Sequence, residues 1–416
     1  MKLDHLKEIN VRATELVKPI RLLESIAWDM SLELEFLSSV EKGNPKLPTP
    51  TYREIDLTEC RRELTSLTKK LSDNNPLEIY TKKTILSYID TVRLIKSRST
   101  KVFQDLSVEI FGCPRDLIPG GKITNIEAAS KLLKVAHSFE HPFIKEPEAC
   151  ISAETVAEEI RKSCELFGSD GPNVEIVNDL SAKATASLSR VRLRGETCFN
   201  KYDAQQLIAH EVMIHVLTSI NGSKQPVLQL MGRAAPRTTS TQEGLATFSE
   251  IITGAIDLKR LSRLALRIIA IDRCLSGADF IETFTFFQEN GQSAKESFWS
   301  AARIFRGGNP SGGVVFTKDT VYLDGLFHVH ALFKWALVEN RQELIHLLFC
   351  GKVAIEDIFL LEKSLIDHEI SLPTYLPSWY EDIESLAGNL AFSAVNTMMD
   401  LESLKLEFAA HEREPT

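Results

Sequence analysis

The sequence has no Cys-x-x-Cys pair, no excess of basic residues and no apolar run near the roughly 18 residues of a membrane-spanning helix. Its seven cysteines stand at 60, 113, 150, 164, 198, 274 and 350, an odd number at wide spacing. That pattern argues against a disulfide framework or a cysteine-ligated metal site, and reads as seven reduced thiols serving as packing residues. Lys and Arg total 48 against 57 Asp and Glu, a net charge of −9, so neither nucleic acid nor an anionic membrane is expected as a partner. The opening residues Met1-Lys-Leu-Asp-His-Leu-Lys-Glu-Ile-Asn10 are polar and lack the apolar stretch of a secretory signal. A cytoplasmic protein is the expectation.

What is present suffices for a large core: 416 residues, 44% of them apolar and 25% charged. The first ~165 residues pattern mainly as helix. Leu22, Ile26, Met30 and Leu34 recur at near-helical spacing, and helical patterns also cover Thr58–Leu71, Pro76–Ser97 and Ala128–His137. The prolines at 45, 48 and 50 mark a loop. The texture changes near Gly168. Val174–Val177 reads as a strand and Ala184–Leu193 as a second, with Val191 and Leu193 on one face and Arg190, Arg192 and Arg194 on the other. Asp203 is placed to cap a helix running to about Ile220, which Asn221-Gly222 ends. Thr241 is placed to cap the next helix, and the chain is again mostly helical from Ala255, interrupted by the glycine-rich segment 307–313.

The chemistry centres on His210-Glu-Val-Met-Ile-His215. Two imidazoles on one face of a helix can hold one zinc ion, and the acid beside the first can hold the water that the metal polarises. In the common His-Glu-x-x-His arrangement, residues four apart differ by only about 40° around the helix; five apart they differ by about 140°. The spacing therefore predicts a π-bulge between His210 and His215, whose i→i+5 bonding returns both rings to one side. A catalytic zinc needs a third protein ligand and an open position. Glu243, in the first turn of the following helix, is that candidate, with Gly244 allowing a neighbouring backbone close. Glu250, two turns on, is a reserve ligand or a partner to one. A strand pair, the histidine helix, a turn and a carboxylate helix follow the layout of a gluzincin peptidase, with an edge strand free to pair an extended substrate.

Several strings occur in a fixed order: Arg190-Val-Arg-Leu-Arg-Gly195, the two histidines, Asn221-Gly222, Gln225-Pro226, Pro236-Arg-Thr-Thr239 and Gln242-Glu-Gly-Leu-Ala246. Arg303-Ile-Phe-Arg-Gly307, Phe316-Thr-Lys-Asp319 and Tyr322-Leu-Asp-Gly325 follow. In these the sequence resembles the bacterial QEGLA-motif family, known as flavohemoglobin expression-modulating, which is similar to the eukaryotic microtubule-associated tyrosine carboxypeptidases. The resemblance is densest over residues 170–335. It implies a mostly helical α+β fold with a gluzincin-like metallopeptidase core and a small sheet packed by the active-site helix. It also implies one zinc per chain on His210, His215 and Glu243, with Glu211 as general base.

Residues 1–165 are expected to form a helical region contributing a cleft wall, 166–340 the catalytic core, and 341–416 a C-terminal helical region. The expected substrate is the C-terminal tail of a peptide or protein, cut by a zinc-activated water. Tyr322, in a family-like segment at a helix start, is the candidate donor to the developing oxyanion. Arg192, Arg194, Arg237, Arg303 and Arg306 are the candidates to bind a substrate carboxylate through a planar fork. His328 and His330, two apart on a helix, are read as core or supporting residues, and Asn221 and Gln225 as groups fixing a loop. Two other readings share the cleft: a regulatory binding protein without catalysis, and a zinc hydrolase of a non-peptide amide.

Overall fold

A computed structural model describes residues 2–139, 150–178, 180 and 182–396. It is mostly helical, with one small mixed sheet, so an α+β protein. No helix among the described residues is long and apolar enough to cross a membrane.

The N-terminal third is built around the Pro76–Lys96 helix. Asn75 starts it by accepting hydrogen bonds from the Leu77 and Glu78 amides, and Pro76 takes the position where no amide hydrogen is needed. Leu77, Tyr80, Ile85, Tyr88 and Val92 all face inward, so the helix is a central strut of the fold. The expected single helix through Leu22–Leu34 is interrupted. A short turn of helix covers Leu22–Ser25, and a new helix begins at Ser31. Ile26 and Trp28, in the break, are buried while Leu34 is 72% exposed. The apolar spacing marked two packing segments on either side of a bend.

The sheet holds β1 (Asn173–Val177), β2 (Ala184–Ala186) and β3 (Arg190–Arg194) in the order β1-β3-β2. β3 is central, parallel to β1 and antiparallel to β2. The segment expected to be one strand from Ala184 is a hairpin that turns at Ser187, whose amide donates to the Arg190 carbonyl. Alternation continued across the turn and concealed it. Val191 and Leu193 are fully buried, as the alternation required, and Thr185 pairs across from Arg192 on the opposite face. Among the described residues no strand pairs with the second edge of β2, and β2 borders the main cleft.

Two cysteines depart from the expectation of reduced thiols. Cys150 and Cys198 are joined in a disulfide, while Cys60, Cys113, Cys164, Cys274 and Cys350 are free. The backbones of Ile151 and Phe199 pair in both directions at 2.8 and 3.1 Å, which aligns the preceding cysteines. Partners 48 residues apart carry no local sequence signature.

The histidine segment is a continuous rod: α-helix over Asp203–Leu207, π-helix over Ile208–Val216, and α-helix again over Leu217–Ser223. Asn200, rather than Asp203, starts it, accepting from the Tyr202 and Asp203 amides. Gly222 ends nothing by a left-handed turn. It lies where a Cβ would strike the Met231 carbonyl, so its role is close approach of the following loop. The carboxylate helix spans Thr239–Ile252, starting three residues earlier than expected, and Thr241 instead accepts from the Ile355 amide.

That helix packs on the Thr320–Val338 helix at a glycine crossing. A Cβ on Gly244 would overlap the Gly325 backbone, and one on Gly325 would overlap the Ser240 carbonyl. Backbone therefore lies on backbone one residue from Glu243. Asp324 holds the same crossing by accepting from Ser240 and Asn125. Gly244→Ala is expected to lower folding stability by about 2–3 kcal/mol, since neither backbone can yield. Chemical denaturation measures this, and an unchanged midpoint would show that the two helices can separate without cost.

Candidate functional site

The π-helix answers the angular problem set by the sequence. Within Ile208–Val216, hydrogen bonds skip five residues, so His210 and His215 stand on one side with ring centroids 4.9 Å apart and planes at 84°. The widened turn is held from its buried side by Val212, Ile214 and Val216, each fully enclosed. Thr218 and Ser219 return hydroxyl hydrogen bonds of 2.7 Å to the carbonyls of Ile214 and His215.

Glu243 faces both rings. Its Oε2 lies 3.3 Å from Nε2 of His210 and 3.6 Å from Nε2 of His215, yet has no hydrogen-bond partner although buried. Two ligands of a tetrahedral zinc, each about 2.0–2.1 Å from the metal, stand roughly 3.3–3.4 Å from one another. The two Glu243–histidine distances lie close to such a tetrahedral edge, all three donor atoms fall within 4.8 Å of one another, and they are the one group of three or more such side chains among the described residues that could hold a metal ion. The other oxygen, Oε1, accepts from Lys318 at 2.8 Å, which leaves only Oε2 facing the histidines.

Behind this group runs a chain of charges. Nδ1 of His210 lies 2.6 Å from Oε1 of Glu250, which turns Nε2 toward Glu243. Arg260 holds Glu250 with two bonds of 3.1 and 3.2 Å. Burial would raise Glu250, but Arg260 and His210 hold it down to about 2. Burial alone favours the neutral form of His210; the Glu243 and Glu250 carboxylates outweigh it and raise His210 well above the usual imidazole range. Burial would also raise Glu243, and Lys318 and the two histidines overcome it, so this carboxyl lies well below its ordinary value.

His210, His215, Glu243 and Lys318 line a cleft of about 570 Å³. One wall is the free edge of β2 with Ser187 and Leu188; Ile20, Leu22, Tyr88 and Phe111 come from the N-terminal region. Glu211 and Tyr322 both line it, the Tyr322 ring stacking 6.4 Å from His210 beneath Lys318 and Arg260.

Of the five arginines expected to meet substrate, Arg303 and Arg306 line the cleft. Arg303 is already engaged by a bidentate pair with Asp319, both bonds 2.7 Å. Arg306 is stacked on Phe316, buried enough to be pushed down to about 10, and its Nε has no partner. Arg192, Arg194 and Arg237 do not line it. Arg194 bonds Thr197 on β3's flank, and Arg237 is locked to Asp357 at 2.6 Å and to Glu356. Sequence order put Arg237 near Glu243, but its side chain leaves on the other side of the helix start. His328 and His330 stay outside the group of His210, His215 and Glu243, the former against the Asp324 carbonyl and the latter against Phe248. Asn221 and Gln225 are structural as expected, although they grip residues 349–350 and 371–375 rather than their own loop.

Three site residues escaped the sequence reading. Lys318 sits inside a recognisable string, but nothing local reveals that it neutralises Glu243. Arg260 and Lys352 come from distant segments, and Lys352 is a buried lysine that burial pushes down to about 7.

Comparison with known proteins gives the family of the chain. Residues 35–398 match the family described as microtubule-associated tyrosine carboxypeptidase. The rat (Rattus norvegicus) protein Microtubule-associated tyrosine carboxypeptidase 1 is 24% identical over 236 residues, 55% of this chain and 47% of the relative. The chain therefore matches about half the length of that relative. With 364 consecutive positions matched, from 35 to 398, the chain belongs to the microtubule-associated tyrosine carboxypeptidase family.

Proposed function

We propose that the protein is a zinc-dependent carboxypeptidase of the gluzincin type, with one metal ion per chain on Nε2 of His210, Nε2 of His215 and Oε2 of Glu243. The observation that carries this reading is the orphaned Oε2 of Glu243, buried and facing two imidazole nitrogens at tetrahedral-edge distances. A zinc ion there would supply a Lewis acid and a bound water whose pKa is lowered to about 7. The Gln242-Glu-Gly-Leu-Ala246 string supports membership in the bacterial QEGLA branch.

Glu211 follows His210 in the widened turn and lines the cleft. Its carboxylate accepts the proton of the attacking water and delivers it to the leaving amine. The Tyr322 phenol donates to the oxygen that gains charge. An extended peptide pairs with the open edge of β2, which sets its direction across the cleft. Arg306 reads the terminal carboxylate, because Arg303 is committed to Asp319 while Arg306 keeps an unmatched donor. Lys318 holds Glu243 to one ligating oxygen. The relative named above is a tyrosine carboxypeptidase by name; for this chain the proposed substrate is the free C-terminus of a peptide or protein.

Purified protein is expected to carry about one zinc per chain by elemental analysis, as is Glu211→Gln, whereas His210→Ala loses it. Glu211→Gln should cut the release of C-terminal residues from a peptide mixture, followed by mass spectrometry, by about 10²–10⁴-fold. Absence of metal after zinc is added back would refute the ligand assignment. Retention of metal without cleavage of any peptide would favour the regulatory binding protein.

Arg306→Gln should lower kcat/KM by on the order of 10²-fold for peptides with a free carboxylate, the scale of losing a buried charge partner. Amidated peptides should be poor substrates for both proteins. Equal cleavage of amidated and free-acid peptides by the unaltered protein would instead mean an endopeptidase.

A further inference from the structure

Lys352 lies far from the metal ligands in sequence and belongs to the turn after the His346–Cys350 helix. Its backbone is gripped at both ends. The amide donates to the Met231 carbonyl at 2.7 Å, and the carbonyl accepts from the Tyr80 hydroxyl at 2.8 Å. From this fixed base the side chain passes inward, only 4% exposed, and ends between the two elements that carry the metal ligands. The ammonium has three acceptors: the His215 carbonyl at 3.2 Å, Oγ1 of Thr218 at 3.2 Å and Oε1 of Gln242 at 3.0 Å. An ammonium has three protons, so this set accounts for all of them and leaves none for a substrate.

Each acceptor is informative. The His215 carbonyl belongs to the end of the π-helix, where the hydrogen-bond ladder changes register. Thr218 is on the next turn, its hydroxyl 2.7 Å from the Ile214 carbonyl. Gln242 immediately precedes Glu243, and its Nε2 is buried with no partner. Among the described residues, Lys352 donates to Oε1 of Gln242, and the Thr218 hydroxyl lies 2.9 Å from the same oxygen with its one proton divided between it and the Ile214 carbonyl. We propose that Lys352 is a positioning residue that joins the widened turn bearing His215 to the Gln242–Glu243 pair and so sets the spacing of the metal ligands. The string Gln242-Glu-Gly-Leu-Ala246 thereby gains a physical reason for its first residue. Gln242 is the joint through which the lysine acts, and Glu243 is the ligand it locates.

This inference rests on the metal site proposed above, and the two fail differently. Zinc binding by the unaltered protein, measured by competition with a chromophoric chelator, tests the site itself. Lys352→Met is compared with it for zinc dissociation constant, the visible spectrum of the cobalt-substituted protein, and the melting temperature of the metal-free protein. A lysine that positions ligands predicts zinc binding weakened about 10–100-fold and an altered cobalt spectrum. The metal-free melting temperature should be unchanged or raised, because Met fills the volume without a buried charge. Gln242→Leu should weaken zinc comparably, and the double variant should lose little more than the worse single one, since both act through one contact. Should Lys352→Met not fold, Thr218→Val, which removes one acceptor and leaves the lysine, is expected to weaken zinc several-fold. Zinc affinity within twofold of the unaltered protein and an unchanged cobalt spectrum in the folded variants would overturn the proposal.

Discussion

Five residues separate His210 from His215, and a regular helix would turn the second ring away from the first by about 140°. Much of the surrounding architecture absorbs that mismatch. The rod widens into a π-helix for nine residues and narrows again, a geometry with little intrinsic stability. It survives because Val212, Ile214, Val216 and Leu217 are completely enclosed and because hydroxyls of Thr218 and Ser219 occupy carbonyls at the change of register. The opposing helix meets the same demand by closing to backbone contact at Gly244 and Gly325, which brings Glu243 within reach of both rings.

The electrostatics follow from that convergence. Three donor atoms crowded together in a buried place need counter-charges beyond them, and the protein supplies these in pairs. Glu250 sits between His210 and Arg260, Glu243 between the histidines and Lys318, and Asp319 between Arg303 and Arg267. Burial tends to raise the Asp319 carboxyl, and the neighbouring arginines bring it far below its ordinary value. Such buried pairs add little net stability relative to apolar packing, but breaking one is costly. Their effect here is directional: each long side chain has one place in which its charge is answered. Arg306, stacked on Phe316 and without such an answer for its Nε, stands out against this background.

The legible part of the fold was the part governed by local rules. Helix periodicity located the Pro76–Lys96 helix within a residue, and the alternation of Val191 and Leu193 gave the buried face of β3. The histidine spacing itself specified a wider turn, because only one regular distortion returns residues five apart to one face. Features decided by distant contacts stayed hidden. The hairpin at Ser187 continues the alternation on both sides, so the pattern did not register the turn. Cys150 and Cys198 meet only because Ile151 and Phe199 pair. Arg237 is near Glu243 in sequence yet faces Asp357, while Arg260 and Lys352, remote in sequence, stand beside the site.

The open edge of β2 has a consequence for solubility. A strand edge that accepts an extended peptide is equally a template for another copy of the chain, and long exposed edges nucleate aggregation. β2 is only three residues long, and it borders a cleft whose lining includes the charged residues Arg21, Glu24 and Arg233. A second sheet would have to enter this channel and desolvate those charges to extend the ladder, whereas a single narrow strand need not. The recess proposed to admit a peptide tail would thus also guard the protein against its own sheet.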